Sequence, residues 1–148
     1  MTKSSMAKKC LLDANVLVAL NWVSDPNHKK SRQVIKKIID KKYQLVTNNY
    51  IVDEVLTVLL LRTKNLEQVG ILASLLYSKQ ESILIKQVSP EWQKKASVVF
   101  VKQKTRQLSF TDCVLLVQAK EEKISTVCTF DQDMQKEDKL NQGLIFLP

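Results

Sequence analysis

Glycine, histidine and cysteine are scarce in this 148-residue chain. Its two glycines, Gly70 and Gly143, are too few for the Gly-rich loops of P-loop and dinucleotide-binding proteins. The single histidine, His28, lies in a polar segment beside lysines, and we interpret it as an exposed loop residue. Catalysis by a Ser–His–Asp or Cys–His arrangement is therefore disfavoured.

The three cysteines, Cys10, Cys113 and Cys128, lie in apolar segments, and their spacing fits neither a zinc site nor a CxxC motif. We interpret them as buried, reduced thiols, which favours a cytosolic protein. Long apolar runs are also missing, so no membrane span is expected. Residues 1–8 lack the apolar region of a signal peptide. We therefore expect a flexible tail at 1–8 and one domain at 9–148.

Positive charge is abundant, with 23 Lys and Arg against 15 Asp and Glu, a net charge of +8 and a pI of about 9.4. If five of the acids share one pocket, the rest of the surface is more basic still. Such a surface attracts polyanions such as nucleic acids. The alternative is that the lysines only make the helices soluble.

Apolar periodicity predicts alternating strands and helices without a hairpin signal, which favours a parallel sheet with crossover helices. The predicted strands are 9–13, 43–47, 82–88, 124–130 and the residues after Gly143. The predicted helices are 14–23, 31–41, 50–62, 66–77, 90–104 and one that follows 108–112 and continues to Lys120. The helices at 50–62 and 66–77 are apolar on more than one side, which indicates a subunit interface.

Four carboxylates lie at strand ends or in the first turns of helices: Asp13, Glu54, Asp112 and Asp131. In a parallel sheet these positions converge at one edge. The alternative is that three of these acids have separate local roles: Asp13 and Asp112 could cap helices, and Asp131 could close an Asx turn. Glu54 is harder to explain, because an unpaired carboxylate among apolar neighbours is costly, whereas Asp53 beside it is expected to be solvated.

Oxygen ligands without supporting His or Cys fit Mg²⁺ or Mn²⁺ and argue against zinc. Asp133 fits either the same site or an ordinary solvated position. A hard cation of this kind activates water and neutralises charge on a phosphodiester. The acids therefore indicate a metal-dependent nuclease.

Four segments of the chain resemble PIN-domain ribonucleases, in particular the toxins of bacterial toxin–antitoxin pairs. They are LLDANVLVAL (11–20), VTNNYIVDEV (46–55), LSFTDCVLLVQAK (108–120) and STVCTFDQDM (125–134). The resemblance implies a three-layer α/β domain with a parallel sheet of about five strands flanked by helices. It also implies a homodimer and, for a toxin, an antitoxin partner.

Carried over to this chain, the resemblance assigns Mg²⁺ or Mn²⁺ to Asp13, Glu54, Asp112 and Asp131, with Asp133 as a further acid near the site. The polar positions that commonly line such a site correspond to Asn15, Thr47, Ser109 and Thr129. The acids would hold one or two metal ions, and a metal-bound water would displace the 3′ oxygen from phosphorus.

The predicted substrate is single-stranded or loop RNA. Lysines and arginines offer candidate phosphate contacts, namely Lys29, Lys30, Arg32, Lys102, Lys104 and Arg106. One rival is a non-catalytic RNA-binding or scaffold protein of the same fold. Another is a phosphotransfer enzyme with Asp13 as nucleophile, which Asn15 weakens because a second acid is expected at that position.

Overall fold

A five-stranded parallel sheet flanked by helices forms the centre of the protein. The computed structural model describes residues 7–78, 82–137 and 144–147. The strands are β1 (Lys9–Leu12), β2 (Gln44–Asn48), β3 (Ile83–Lys86), β4 (Thr126–Cys128) and β5 (Ile145–Leu147). The helices are α1 (Ala14–Asn21), α2 (His28–Asp40), α3 (Asn49–Thr63), α4 (Leu66–Leu76), α5 (Pro90–Lys102), α6 (Phe110–Glu121) and α7 (Gln132–Gln135). The predicted three-layer α/β fold is confirmed.

The strand order is β3-β2-β1-β4-β5, and every neighbouring pair is parallel. Because β1 pairs with both β2 and β4, their carboxyl ends lie side by side at the middle of one sheet edge. Leu12, the last residue of β1, is in register with Cys128, the last residue of β4. The residues that follow these two strands are therefore neighbours.

The core lies between the sheet and its helices. Cys10, Leu11 and Leu12 of β1 are fully buried, as expected for a central parallel strand. In α6, the seven consecutive residues from Cys113 to Ala119 are buried, so this helix is enclosed on all sides. The prediction that all three cysteines are buried, free thiols is confirmed.

The start of α2 differs from the prediction, and so does the environment of His28. The helix begins at His28 rather than Ser31, and the His28 side chain is half-buried, with Nδ1 2.7 Å from the Ala19 carbonyl oxygen. Residues 28–33 contain no apolar side chain, so periodicity could not mark this first turn. The interpretation of His28 as an exposed loop residue was wrong.

Other boundaries moved by a few residues. Four of the strands are shorter than predicted, and β4 keeps only Thr126–Cys128 of the predicted 124–130, whereas β2 keeps its length and is shifted by one residue. The short helix α7 was not predicted, because four residues are too few to show a period. Most of the predicted tail (residues 1–6) and Gly143 lie outside the described residues.

The two helices with excess apolar residues differ in burial. In α3, Ile51, Val52, Val55 and Leu59 are buried. In α4, Val69 is the one buried residue, and apolar side chains are exposed there: Leu66 (71%), Ile71 (58%), Leu75 (56%) and, just beyond the helix, Tyr77 (65%). Ile71 and Leu75 are one turn apart on the same side of the helix, and we call these two the α4 apolar face. The predicted subunit interface stays a prediction. Within the described ranges, no helix could cross a membrane.

Candidate active site

The four predicted acids are positioned by different elements around the carboxyl edge of the sheet. Asp13 directly follows β1 and is the N-cap of α1, while Asp131 follows β4 and is the N-cap of α7. Glu54 lies in the second turn of α3, the helix that follows β2. Asp112 is the third residue of α6, which crosses to the same edge. The fold therefore brings together residues that are far apart in sequence.

Asp13 is the most enclosed of these acids, with 3% of its surface exposed. Its Oδ1 accepts a hydrogen bond from the Ala14 N–H at 2.7 Å, and its Oδ2 accepts one from the Thr129 hydroxyl at 2.7 Å. Burial, followed by the negative charge of Asp112, raises the pKa of Asp13 to about 7 despite both hydrogen bonds. The ionised form of Asp13 is thus costly in the metal-free protein.

Mutual repulsion links the four acids. Burial and then the charge of Asp112 raise the pKa of Glu54. For Asp112, burial raises the pKa and the charge of Asp131 raises it further, against the lowering effect of the Ser109 N–H. In the described part of the chain, no lysine or arginine forms an ion pair with any of the four. The acids form one negative cluster that no cation among the described residues neutralises through an ion pair.

Three of the acids also have the local roles considered as alternatives. Asp13 caps α1, and the Asp131 carboxylate accepts the Asp133 N–H at 2.9 Å. Ser109 and Asp112 form a capping box, in which each side chain accepts the other's N–H at 3.0 and 2.9 Å. Glu54 has no such role, because no described residue forms a hydrogen bond or ion pair with its carboxylate. Helix capping therefore does not explain Glu54.

Two predicted polar residues, Asn15 and Thr129, connect the acids. The Thr129 hydroxyl donates to Asp13 and accepts the Asp131 N–H at 3.0 Å, so one oxygen bridges two acidic residues. The Asn15 amide donates toward Asp13 Oδ2 at 3.5 Å and toward Thr129 Oγ1 at 3.3 Å. Its carbonyl oxygen accepts the Phe130 N–H at 3.1 Å. This network fixes the carboxylate of Asp13 relative to the loop after β4.

Thr47 and Asp133 have other surroundings. The Thr47 hydroxyl is fully buried and donates to the Leu12 carbonyl oxygen at 3.1 Å, so it joins β2 to β1 behind the acids. The Asp133 side chain is half-buried, and only its N–H is seen to bond Asp131. A role for Asp133 as ligand stays a prediction. Asp53 is exposed, as expected.

Two buried polar groups near the cluster were not predicted. Gln118 of α6 accepts a hydrogen bond from the Asn48 amide at 2.9 Å and donates to the Thr47 carbonyl at 3.2 Å. Asn48 is the N-cap of α3, so this contact joins the helices that carry Asp112 and Glu54. The side chains of Asn48 and Gln118 give no periodic pattern in the sequence, and the two residues are 70 positions apart. Their contact could therefore not be predicted.

Glu137 is the second unpredicted group. It is 4% exposed, and its carboxylate accepts the N–H groups of Lys104 and Thr105 at 2.8 and 3.1 Å. Burial raises the pKa of Glu137, but these donors outweigh it, and the pKa lies below its usual value. Glu137 thereby ties the segment after α7 to the basic connector between α5 and α6.

The donor chemistry of the cluster suits a hard divalent cation, since its ligands would be carboxylate oxygens that need a positive charge. Within the described residues, however, no three acidic, histidine or cysteine side chains are close enough together to hold a metal ion. The four carboxylates have the donor atoms that such an ion prefers, and they lie around the same edge of the sheet. They would have to rotate or move inward to share one ion.

The cations predicted to contact RNA are all exposed and come from two segments of the chain. Lys29, Lys30 and Arg32 lie in the first turns of α2. Lys102 ends α5, and Lys104 and Arg106 lie in the connector held by Glu137. Of the six, Lys30 lines a groove that reaches Thr129.

The fold is similar to solved structures of three prokaryotic proteins. VapC20 of Mycobacterium tuberculosis, described as a sarcin-ricin loop cleaving toxin, is 20% identical with a TM-score of 0.76, covering 93% of this chain and 97% of its own. FitAcB of Neisseria gonorrhoeae is 18% identical with a TM-score of 0.65, covering 94% and 97%. PAE2754 of Pyrobaculum aerophilum is 19% identical with a TM-score of 0.62, covering 97% and 92%.

These identities are too low to show more than a common fold. No curated protein matches the sequence significantly. The PIN domain family model, in contrast, matches residues 10–140, which include all four acids and both helices of the α3–α4 pair. The chain therefore belongs to the PIN domain family.

Proposed function

We propose that the protein is a divalent-metal-dependent endoribonuclease that cleaves single-stranded or loop RNA. The observation that carries the proposal is the cluster of Asp13, Glu54, Asp112 and Asp131 at the carboxyl edge of the sheet. Asp13 is buried, the other three are half-buried, and no lysine or arginine of the described residues forms an ion pair with any of them. The PIN family membership and the fold shared with a toxin described as cleaving the sarcin-ricin loop support it.

In this proposal the ligands of Mg²⁺ or Mn²⁺ would be Asp13, Asp112 and Asp131, with Glu54 contributing directly or through water. When bound, such an ion would help to activate water and would neutralise charge on the phosphodiester. The chain itself supplies orientation. Thr129 and Asn15 hold the Asp13 carboxylate, and the Ser109 capping box holds Asp112 at the start of α6.

Cleavage of a fluorescent single-stranded RNA with Mg²⁺ or Mn²⁺, and with EDTA, tests the proposal. We expect Asp13→Asn and Asp112→Asn to lower the cleavage rate at least about 100-fold, the loss typical when a group that stabilises transition-state charge is removed. Undiminished cleavage by both variants, or in EDTA, would rule out the mechanism.

The adjacent pair Glu54 and Asp53 offers the sharpest control. Glu54 has no local structural role, whereas Asp53 is exposed on the same helix turn. Loss of cleavage in Glu54→Gln but not in Asp53→Asn would support an active site. A non-catalytic scaffold of the same fold predicts no cleavage by the unmodified protein, and helix capping would then explain three of the four acids.

We further propose that the protein is a toxin with an antitoxin partner and that it forms a homodimer. The α4 apolar face supports a protein partner, since monomers seldom leave such side chains exposed together. Sedimentation of the purified protein tests the dimer. A neighbouring gene for a small DNA-binding protein, and inhibition of cleavage by its product, would test the toxin.

A further inference from the structure

A polar groove lies next to the acidic cluster, on the β5 side of the sheet. Its lining residues come from the start of α2, the loop after β4, the helix α7 and β5. Thr129 is one of them, and its hydroxyl bonds both Asp13 and the Asp131 N–H, so the groove and the acids share a contact residue. Phe130 provides a second connection, because its N–H bonds Asn15 of the cluster.

The side chains of this groove match the chemistry of a single-stranded nucleic acid. Lys30 and Lys136 are exposed cations at its borders, and Phe130 and Phe146 are half-buried aromatic residues. Gln132 and Gln135 add amides that can bond the edges of bases. Among the described residues that line it there is no acid. Proteins that bind single strands combine cations for phosphates with aromatic rings for bases in this way.

The two lysines project from segments that the structure holds firmly. On α2, Lys30 lies between His28, which contacts the Ala19 carbonyl, and the buried Ser31, whose hydroxyl donates to the Val16 carbonyl at 2.7 Å. Lys136 directly precedes Glu137, whose carboxylate is bound by two backbone N–H groups. A fixed backbone lowers the entropy lost when a ligand binds.

We infer that this groove binds the RNA nucleotide next to the scissile phosphate, with Lys30 and Lys136 on its phosphates and Phe130 or Phe146 against its base. The inference rests on the proposed ribonuclease function and adds to it a subsite on one side of the acids. The repulsive acids cannot attract RNA on their own, so the flanking cations bring the strand to them. Lys136 was absent from the cations that the sequence singled out.

The test is the affinity for a short fluorescent single-stranded RNA, measured in EDTA so that no cleavage occurs. Lys30→Gln and Lys136→Gln are compared with Lys36→Gln, an exposed lysine on α2 that does not line the groove. We expect each groove substitution to raise Kd about 5- to 10-fold and to lower the salt slope of log Kd by about 0.7, the value for one phosphate contact on a single strand. Lys36→Gln should change Kd less than about twofold.

Two further readouts separate the groove from general electrostatics. RNA carrying 4-thiouridine should crosslink to Phe130 or Phe146 in the unmodified protein, and the Lys30→Gln/Lys136→Gln double variant should lose that crosslink. All the substituted lysines are exposed, so equal thermal unfolding of the variants checks that the fold is intact. A single-stranded DNA of the same sequence tests whether the groove selects RNA.

The outcomes distinguish the subsite from the nuclease. If the double variant binds RNA like Lys36→Gln, with the same salt slope, the groove inference is overturned even when the unmodified protein cleaves RNA. If the protein never cleaves RNA but the double variant loses affinity and crosslinking, the proposed function fails and the groove stands as an RNA-binding site.

Discussion

At the carboxyl edge of the sheet, polar and charged side chains are buried, whereas along α4 apolar side chains are exposed. Asp13 and Thr129 are 3% and 0% exposed, yet Ile71 and Leu75 are more than half exposed. Each region reverses the usual distribution of residues between interior and surface. At the edge, hydrogen bonds stabilise the buried Asp13 and Thr129, although Glu54 has no such partner among the described residues. On the α4 apolar face, no described residue covers the exposed side chains. The first region therefore needs a positive charge, and the second needs a covering surface.

The largest expected effect on stability comes from Asp13→Asn in EDTA. The folded-state pKa of about 7 exceeds the ordinary value of 3.8, so the folded protein binds more protons between these values. The free energy of unfolding of the unmodified protein should therefore fall as pH rises from 4 to 7. Asp13→Asn should remove this loss and be more stable above pH 7 by up to about 4 kcal/mol.

Urea denaturation at several pH values measures this effect, and Asp53→Asn on the exposed side of α3 is the control. A variant Asp13→Asn that is less stable than the unmodified protein at every pH would mean that the carboxylate stabilises the fold. The buried Asp13 carboxylate would then not be a source of instability at the carboxyl edge.

Binding of a divalent metal ion should offset the repulsion among the four acids and so stabilise the folded protein. An ion that binds only the folded protein raises the free energy of unfolding by about 2.7 kcal/mol at a hundred times its Kd. We expect Mn²⁺ to raise the melting temperature of the unmodified protein and of Asp53→Asn but not of Asp112→Asn. Differential scanning fluorimetry measures this shift. An equal rise in all three proteins would indicate nonspecific binding.

Thr129→Val tests whether one hydroxyl organises the edge. The substitution leaves Asp13 Oδ2 and the Asp131 N–H without their shared partner. We expect a loss of about 1–3 kcal/mol in the free energy of unfolding, the usual cost of an unsatisfied buried group. Thr126→Val, at the other end of β4, is the matched control, and an equal loss there would deny Thr129 a special role.

The smallest effect on the folded monomer is expected at the α4 apolar face. Ile71→Lys should change the free energy of unfolding of the isolated chain by no more than about 0.5 kcal/mol, because this side chain is exposed. Leu59→Ala, buried on the neighbouring helix α3, should cost about 2–5 kcal/mol. If Ile71→Lys also leaves the sedimentation coefficient unchanged, this face is not where two copies meet.

The parallel sheet and the position of four acids around its carboxyl edge could be predicted from the sequence. The reason is local: Asp13 and Asp131 each follow a buried strand, and parallel strands direct such ends to one edge. Glu54 could be singled out because its neighbours Ile51 and Val55 are apolar and are buried in the structure. Both predictions use the difference in polarity between an acid and its apolar neighbours within a few residues of the chain.

Contacts between distant polar residues could not be predicted in this way. The bonds of Glu137 join residues more than 30 positions apart, and a glutamate near a chain end resembles any solvated charge. The start of α2 at His28 and the helix α7 lack apolar residues in a periodic arrangement. Lys136 was not among the predicted RNA contacts, because only the folded chain brings it to the same groove as Lys30.

The hydrogen bond between Asn48 and Gln118 has a consequence for building chimeric proteins from this fold. Asn48 caps α3 and Gln118 lies on α6, and each of these helices carries an acid of the cluster. Replacing α6 with a helix that has no glutamine at position 118 would leave the buried Asn48 amide without this hydrogen-bond partner. A chimera that keeps the four acids in place should therefore take Asn48 and Gln118 from the same protein.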